Sequence, residues 1–260
     1  MRRRSLTELA SNPDLISGIY NYCDRWCERC PLTSRCLVFA TEQLDHNGNG
    51  QSHDLNNEAF WSKLNSVLVE TQEMIGEWAR AAGIDLTFIP DEEVKPRKRK
   101  RQLVDNHSLA RAGKKYANAA SDWFREFDQA IEISDLRASD ADREQLEQLE
   151  DAREVIQWYQ YQIAVKTMRA LSCRDDGWED DPEMAEFPKD SDGSAKVALI
   201  GIDRSIAAWR LMQLSLPERA DSIVTLILQL ERLRQRVEKH FPEAREFVRP
   251  GFDEALATVT

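Results

Sequence analysis

The sequence predicts an all-α protein: an antiparallel bundle of about five long helices, with a short N-terminal unit built around four cysteines. Three observations carry this expectation. Apolar residues recur at helical rather than alternating spacing along most of the chain. Glycine (10) and proline (9) are scarce among 260 residues, too few for the many turns of a strand-rich fold. Four of the five cysteines fall in the single stretch Cys23–Cys36.

The elements follow in order. Residues 1–12 read as an arm. From Pro13 to Cys30 the positions Leu15, Ile16, Ile19, Tyr20 and Trp26 read as a helix, with Pro13 at its first position. Pro31 ends it, because the residue before a proline is pushed out of helical geometry. Thr33 or Ser34 caps a short helix running through Leu44. The run from His46 to His53 has loop composition and lacks the alternating acids of a calcium loop.

Residues 55–82 repeat Phe60, Leu64, Val67, Thr71, Ile75 and Trp78 on one face, expected to be a core face, and Gly83 stops the helix. Residues 84–105 hold Pro90, Pro96 and the basic run Lys95–Arg101, and read as an extended linker. A helix over 106–133 buries Tyr116, Trp123 and Phe127. A long acidic helix begins at Asp140 and reaches about Ser172. Residues 174–192 form an acidic loop. The helix over 194–215 is apolar nearly all round and so central, Pro217 breaks it, and a last helix covers about 217–240. The expected division is a cysteine-rich unit at 1–50 and a helical bundle at 51–260.

Charge and composition limit the function. A net charge of -11 does not suit a chain that coats nucleic acid or anionic lipid non-specifically. The basic run Lys95–Arg101 is the local exception and marks a possible contact with nucleic acid or an acidic partner. No run is long and apolar enough to span a membrane, and no apolar stretch follows Arg2-Arg3-Arg4, so no secretory signal is expected. An odd cysteine count without such a signal points to the reducing cytoplasm, where clustered thiols more often bind metal than pair. Exposed tryptophans on amphipathic helices would permit a homodimer.

The spacing C-x3-C-x2-C-x5-C makes Cys23, Cys27, Cys30 and Cys36 candidate metal ligands. On a helix the first three share one face, and Cys36 returns after Pro31. Thiolate is a soft ligand for zinc or an iron–sulfur cluster. Cys23 and Cys30 would lie roughly 10 Å apart along a regular helix, too far for one zinc and better suited to a [4Fe–4S] cluster, with zinc as the alternative. The C-x2-C-x5-C element of Cys27, Cys30 and Cys36 resembles the cluster-binding element of SPASM-type auxiliary domains and of nucleases of the AddB kind. The C-x3-C-x2-C element resembles the radical-SAM signature. The resemblance covers these fourteen residues only, and implies a cluster rather than either activity. Cys173, far away in sequence, reads as an ordinary half-buried thiol.

Other chemistry is weaker. Four histidines, none following a glutamate at the i+3 spacing, do not build a di-iron centre. Glu154, Lys166, Asp203 and Arg204 lie on the apolar central helices, where charge is costly. They form either an interhelical ion-pair network or a polar pocket supplying an acid and a base. Arg234 and His240, spaced R-x5-H, resemble the motif of HEPN ribonucleases, which implies action on RNA. The expected functions are therefore a cluster-bearing helical protein, an interaction protein with structural zinc, or a HEPN-like ribonuclease.

Overall fold

The computed structural model describes residues 12–46, 58–85, 91–131, 140–174, 179, 182 and 188–253. These residues are all-helical, without a strand among them. Seven α-helices are described: α1 (Leu37–His46), α2 (Glu58–Ala82), α3 (Asp91–Asn106), α4 (Ser108–Ile131), α5 (Asp140–Arg174), α6 (Asp190–Ser215) and α7 (Ala220–His240). No helix is long and apolar enough to cross a membrane.

The chain divides into two compact units. One comprises Met1–Ser17 and Arg29–Arg99, and the other Gly18–Glu28 and Lys100–Thr260. In the first unit, residues 12–16 and 32–36 are tied together: the Ile16 amide donates to the Arg35 carbonyl at 3.0 Å, and Arg35 Nε donates to the Asp14 carbonyl at 3.2 Å.

The larger unit is built on α4, α5, α6 and α7, each antiparallel to its neighbours. Gly113 lies against Ala164, and further along Ser121 meets Tyr161 at 2.7 Å, so α4 and α5 run oppositely. Gly201 lies against Tyr159 and Ile163 while Asp190 faces Arg169, which reverses α6 against α5. Asp203 pairs with Arg234 and Arg210 with Glu231, reversing α7 against α6. The ring closes where Trp123 Nε1 donates to Ser222 Oγ at 2.9 Å and Arg236 to Ser108 Oγ at 2.8 Å. The short connection from Ser215 to Ala220 favours antiparallel packing of α6 and α7. Four of the five expected long helices thus form the bundle; α2 belongs to the other unit.

The bundle core centres on Trp209, which is fully buried. Its indole donates to Tyr116 Oη at 2.9 Å, stacks on Phe124 at 5.4 Å and meets Trp123 edge-on at 5.0 Å. A buried indole needs such a partner for its N–H. Burial in turn pushes the Tyr116 hydroxyl up to about 12. Helices α5 and α6 approach closely because Gly201 has no side chain: a Cβ there would stand 2.9 Å from Tyr159 Cδ1.

Several expectations are corrected. The helix expected over 13–30 is absent: the chain makes short 3-10 turns at Ile19–Asn21, Cys27–Arg29 and Thr33–Arg35. Arg25 adopts φ 58°, left-handed geometry that breaks any helix there. The linker expected over 84–105 is helical from Asp91, so Lys95–Arg101 lies on α3. Lysine, arginine, glutamate and leucine favour helix, and the acids at 91–93 suit its N-terminus. Pro96 lies one turn inside and removes a single backbone bond. The expected core face of α2 is exposed at Thr71, Ile75 and Trp78. Helical periodicity identifies a face but not its partner. The loop expected over His46–His53 lies outside the described residues except His46, the last residue of α1. The acidic loop, apart from its two ends and residues 179 and 182, also lies outside them.

Candidate functional site: the Asp24 strap and the cysteine segment

The segment 18–28 runs as a strap over the bundle of its unit, and Asp24 fastens it. Locally, Asp24 Oδ1 accepts the Trp26 amide at 3.2 Å, an Asx turn that explains the left-handed Arg25 between them. The Asp24 main-chain carbonyl accepts from Trp158 Nε1 at 3.0 Å and from the Gln162 amide. Its Oδ2 accepts from the Tyr159 hydroxyl and from Arg204 Nη1 at 2.8 Å. Arg204 also donates to Tyr159 Oη. Burial, reinforced by the Asp24 carboxylate, pushes the Tyr159 hydroxyl well above its ordinary range, so it remains a donor. Trp26 is buried and stacks on Trp158, with ring centroids 5.0 Å apart. At the other end of the strap, Tyr22 donates to Asp190, and the Asn21 carbonyl accepts from Arg169 at 3.3 Å and Lys166 at 3.5 Å.

The cysteines sit on this strap and just after it. All five cysteines are half-buried and none is in a disulfide. The Cys23 thiol donates to the Tyr20 carbonyl at 3.6 Å, and burial pushes its pKa up. Cys30 Sγ accepts the Leu32 amide at 3.4 Å. Cys23 and Cys27 belong to one unit, and Cys30 and Cys36 to the other. Among the described residues, no group of three or more cysteine, histidine, aspartate or glutamate side chains is arranged to hold a metal ion. The donor set itself, four cysteine sulfurs, suits a soft metal. Loss of the helix removes the axial-spacing reason for preferring a cluster over zinc.

The four charged residues of the central helices do not converge. Arg204 and Lys166 both face the strap, one at Asp24 and the other at the Asn21 carbonyl. Burial lowers the pKa of Lys166. Asp203 pairs with Arg234 of α7 at 3.4 Å and with Arg245, beyond the end of α7, at 2.6 Å. Arg245 in turn binds Glu238 at 2.7 Å, and its pKa is raised chiefly by the bond to Asp203. Glu154 is exposed, twelve residues before Lys166 on α5 and so roughly 18 Å from it along the axis. Of the four, Asp203 joins an ion-pair network with Arg234, Arg245 and Glu238. Cys173 is half-buried at the end of α5, as expected.

Arg234 is held by Glu231 and Asp203, while the His240 ring lies 5.2 Å from that of His107. Six residues separate them on α7, placing them roughly 120° apart around the helix. Elsewhere, an open groove of about 840 Å³ is lined by Arg111, Lys114, Lys115 and Arg236. It contains none of the expected site residues.

Sequence reasoning missed Asp24. Its signal was local: an aspartate two residues before a buried tryptophan, the spacing of an Asx turn. Its partners, Tyr159 and Arg204, lie more than 130 positions away and left no mark near it. Comparison of the chain with family models, with curated proteins and with solved structures finds no significant match.

Proposed function

We propose that Cys23, Cys27, Cys30 and Cys36 hold one soft-metal centre, a [4Fe–4S] cluster or zinc, in a cytoplasmic helical protein. Its role is to cross-link the cysteine segment. The observation that carries this reading is the presence of four cysteines outside any disulfide within fourteen residues, with the Leu32 amide turned onto the Cys30 sulfur. When bound, the metal supplies cross-linking of the segment and, as a cluster, one-electron redox chemistry. The chain's own groups supply the setting. Asp24 anchors the strap to α5 and α6, and the Trp26–Trp158 stack covers it on the side of the bundle. The iron–sulfur reading rests on the resemblance of the C-x2-C-x5-C element. The zinc reading, that of a non-enzymatic interaction protein, rests on the same donors.

Single serine substitutions test the ligand set. Cys27→Ser and Cys36→Ser each abolish stoichiometric metal binding, whereas Cys173→Ser retains it. Metal content unchanged in the first two variants would contradict the proposal.

A further inference from the structure

The groove on α4 carries a charge pattern that the metal centre does not use. Ser108, Arg111, Lys115, Asn118 and Asp122 recur three or four residues apart and so share one stripe of α4. Ala112 and Ala119 lie beside them, half-buried, and their small side chains leave room for the hollow. Its volume of about 840 Å³ is within the roughly 300–1,000 Å³ of small-molecule sites. Its described lining residues all belong to the larger unit.

The stripe is polarised. One end gathers Arg111, Lys114 and Lys115 of α4 with Arg236 of α7, and the other ends on Asn118 and Asp122. In a chain of net charge -11, four cations around one hollow are a local exception. Like charges three and four residues apart destabilise a helix, and Arg111 stands so to both Lys114 and Lys115. Lys114 is balanced by Asp105 at 3.1 Å, and Arg236 is held at the groove by donating to Ser108 Oγ at 2.8 Å, which leaves its charge unneutralised. Arg111 and Lys115 are exposed and, among the described residues, make no ion pair and no side-chain hydrogen bond. An anion seated between them relieves the repulsion and accepts charge-assisted hydrogen bonds from both.

The same pattern sets the class of anion. A nucleic-acid strand carries phosphates along its whole length and, after the cations, meets the Asp122 carboxylate. Single strands also use aromatic stacking platforms, and no aromatic side chain is among the described lining residues. A compact anion held at the cationic end meets neither obstacle. A single phosphate, with about two negative charges, does not neutralise the cations gathered there, whereas two linked phosphates do. We propose that Arg111, Lys115 and Arg236 bind a small molecule carrying a diphosphate group. The site is independent of the metal centre.

The test is calorimetric titration of the full-length protein with inorganic pyrophosphate at near-physiological salt. The wild-type chain binds about one pyrophosphate with a submillimolar dissociation constant, and orthophosphate about tenfold more weakly. Arg111→Ala and Lys115→Ala each weaken pyrophosphate binding by about tenfold. The unfolding midpoint of the ligand-free variants does not fall, because both side chains are exposed and alanine favours helix. Arg210→Ala, which removes an exposed cation of α6 outside the groove, leaves the affinity unchanged. No binding of pyrophosphate at millimolar concentration overturns the proposal, as does binding that survives both groove substitutions or that orthophosphate matches. A short RNA strand that binds more tightly than pyrophosphate, and loses its binding in the same two variants, assigns the groove to nucleic acid and overturns it equally.

Discussion

The Asp24 carboxylate and the Arg204 guanidinium meet at 2.8 Å across 180 positions of sequence, and the Tyr159 hydroxyl is bound to both. This triad holds the strap to α5 and α6. Arg204 is about half exposed, so its ion pair contributes little by itself, whereas Tyr159 is fully buried and its hydroxyl depends on Asp24. Asp24→Ala is expected to lower stability by about 2 kcal/mol in denaturant unfolding, and Arg204→Ala by about 0.5–1 kcal/mol. Equal losses would show that the ion pair, not the buried hydroxyl, carries the contact.

At the α5–α6 crossing, Gly201→Ala places a methyl 2.9 Å from Tyr159 Cδ1 and 3.2 Å from Ile163 Cγ1. Both neighbours are fully buried side chains with little room to give. The expected cost is about 1–3 kcal/mol, read as a lowered thermal midpoint. Gly76→Ala, on α2, meets nothing within 4 Å and is expected to stabilise that helix by up to about 1 kcal/mol.

Trp209→Phe tests the core. It leaves a cavity and strips the Tyr116 hydroxyl of its indole partner in a fully buried site. The expected loss is about 3 kcal/mol, cavity and lost bond together. In Tyr116→Phe the indole N–H is left without this acceptor, and the expected loss is about 1–2 kcal/mol.

The C-terminal segment gives a pH-dependent prediction. Asp253 binds Lys196 at 3.1 Å and Arg249 at 2.9 Å. Burial opposes its ionisation, but the hydrogen bonds from Arg249 and Lys196 prevail and bring its pKa to about 2, against an ordinary 3.8. A depressed carboxylate pKa stabilises the fold above the unfolded value. That contribution, about 1–2 kcal/mol, is therefore present above pH 4 and lost as pH falls toward 2. Asp253→Asn is expected to lose it at neutral pH and to flatten the acid limb of the stability profile. An unaltered acid limb would contradict the assignment.

What could be read from the sequence follows from which forces are local. The helices α4 to α7 and their buried faces were legible because each carries its own 3.6-residue stripe, as with Leu226, Leu230, Leu233 and Val237 on α7. The charges on α6 were legible as charges in need of partners, because charge on a packed helix is costly alone, but the sequence left both a network and a polar pocket open. The strap was not legible. Ile19 and Trp26 are both buried there, but in successive tight turns, and a helical reading of their spacing is a coincidence of two anchors. Helix α3 was obscured by Pro96, whose local penalty weighs less than the summed propensity of its neighbours. The fate of the α2 face was beyond sequence for another reason: a stripe records that something covers it, and not what.

The central claim concerns Cys23, Cys27, Cys30 and Cys36, and elemental analysis with an absorption spectrum of anaerobically purified protein tests it most directly. A brown protein containing iron and sulfide in equal amounts establishes the cluster, and a colourless one with about one zinc per chain establishes the zinc site. Protein free of both metals, with four titratable thiols in the segment, would contradict the account.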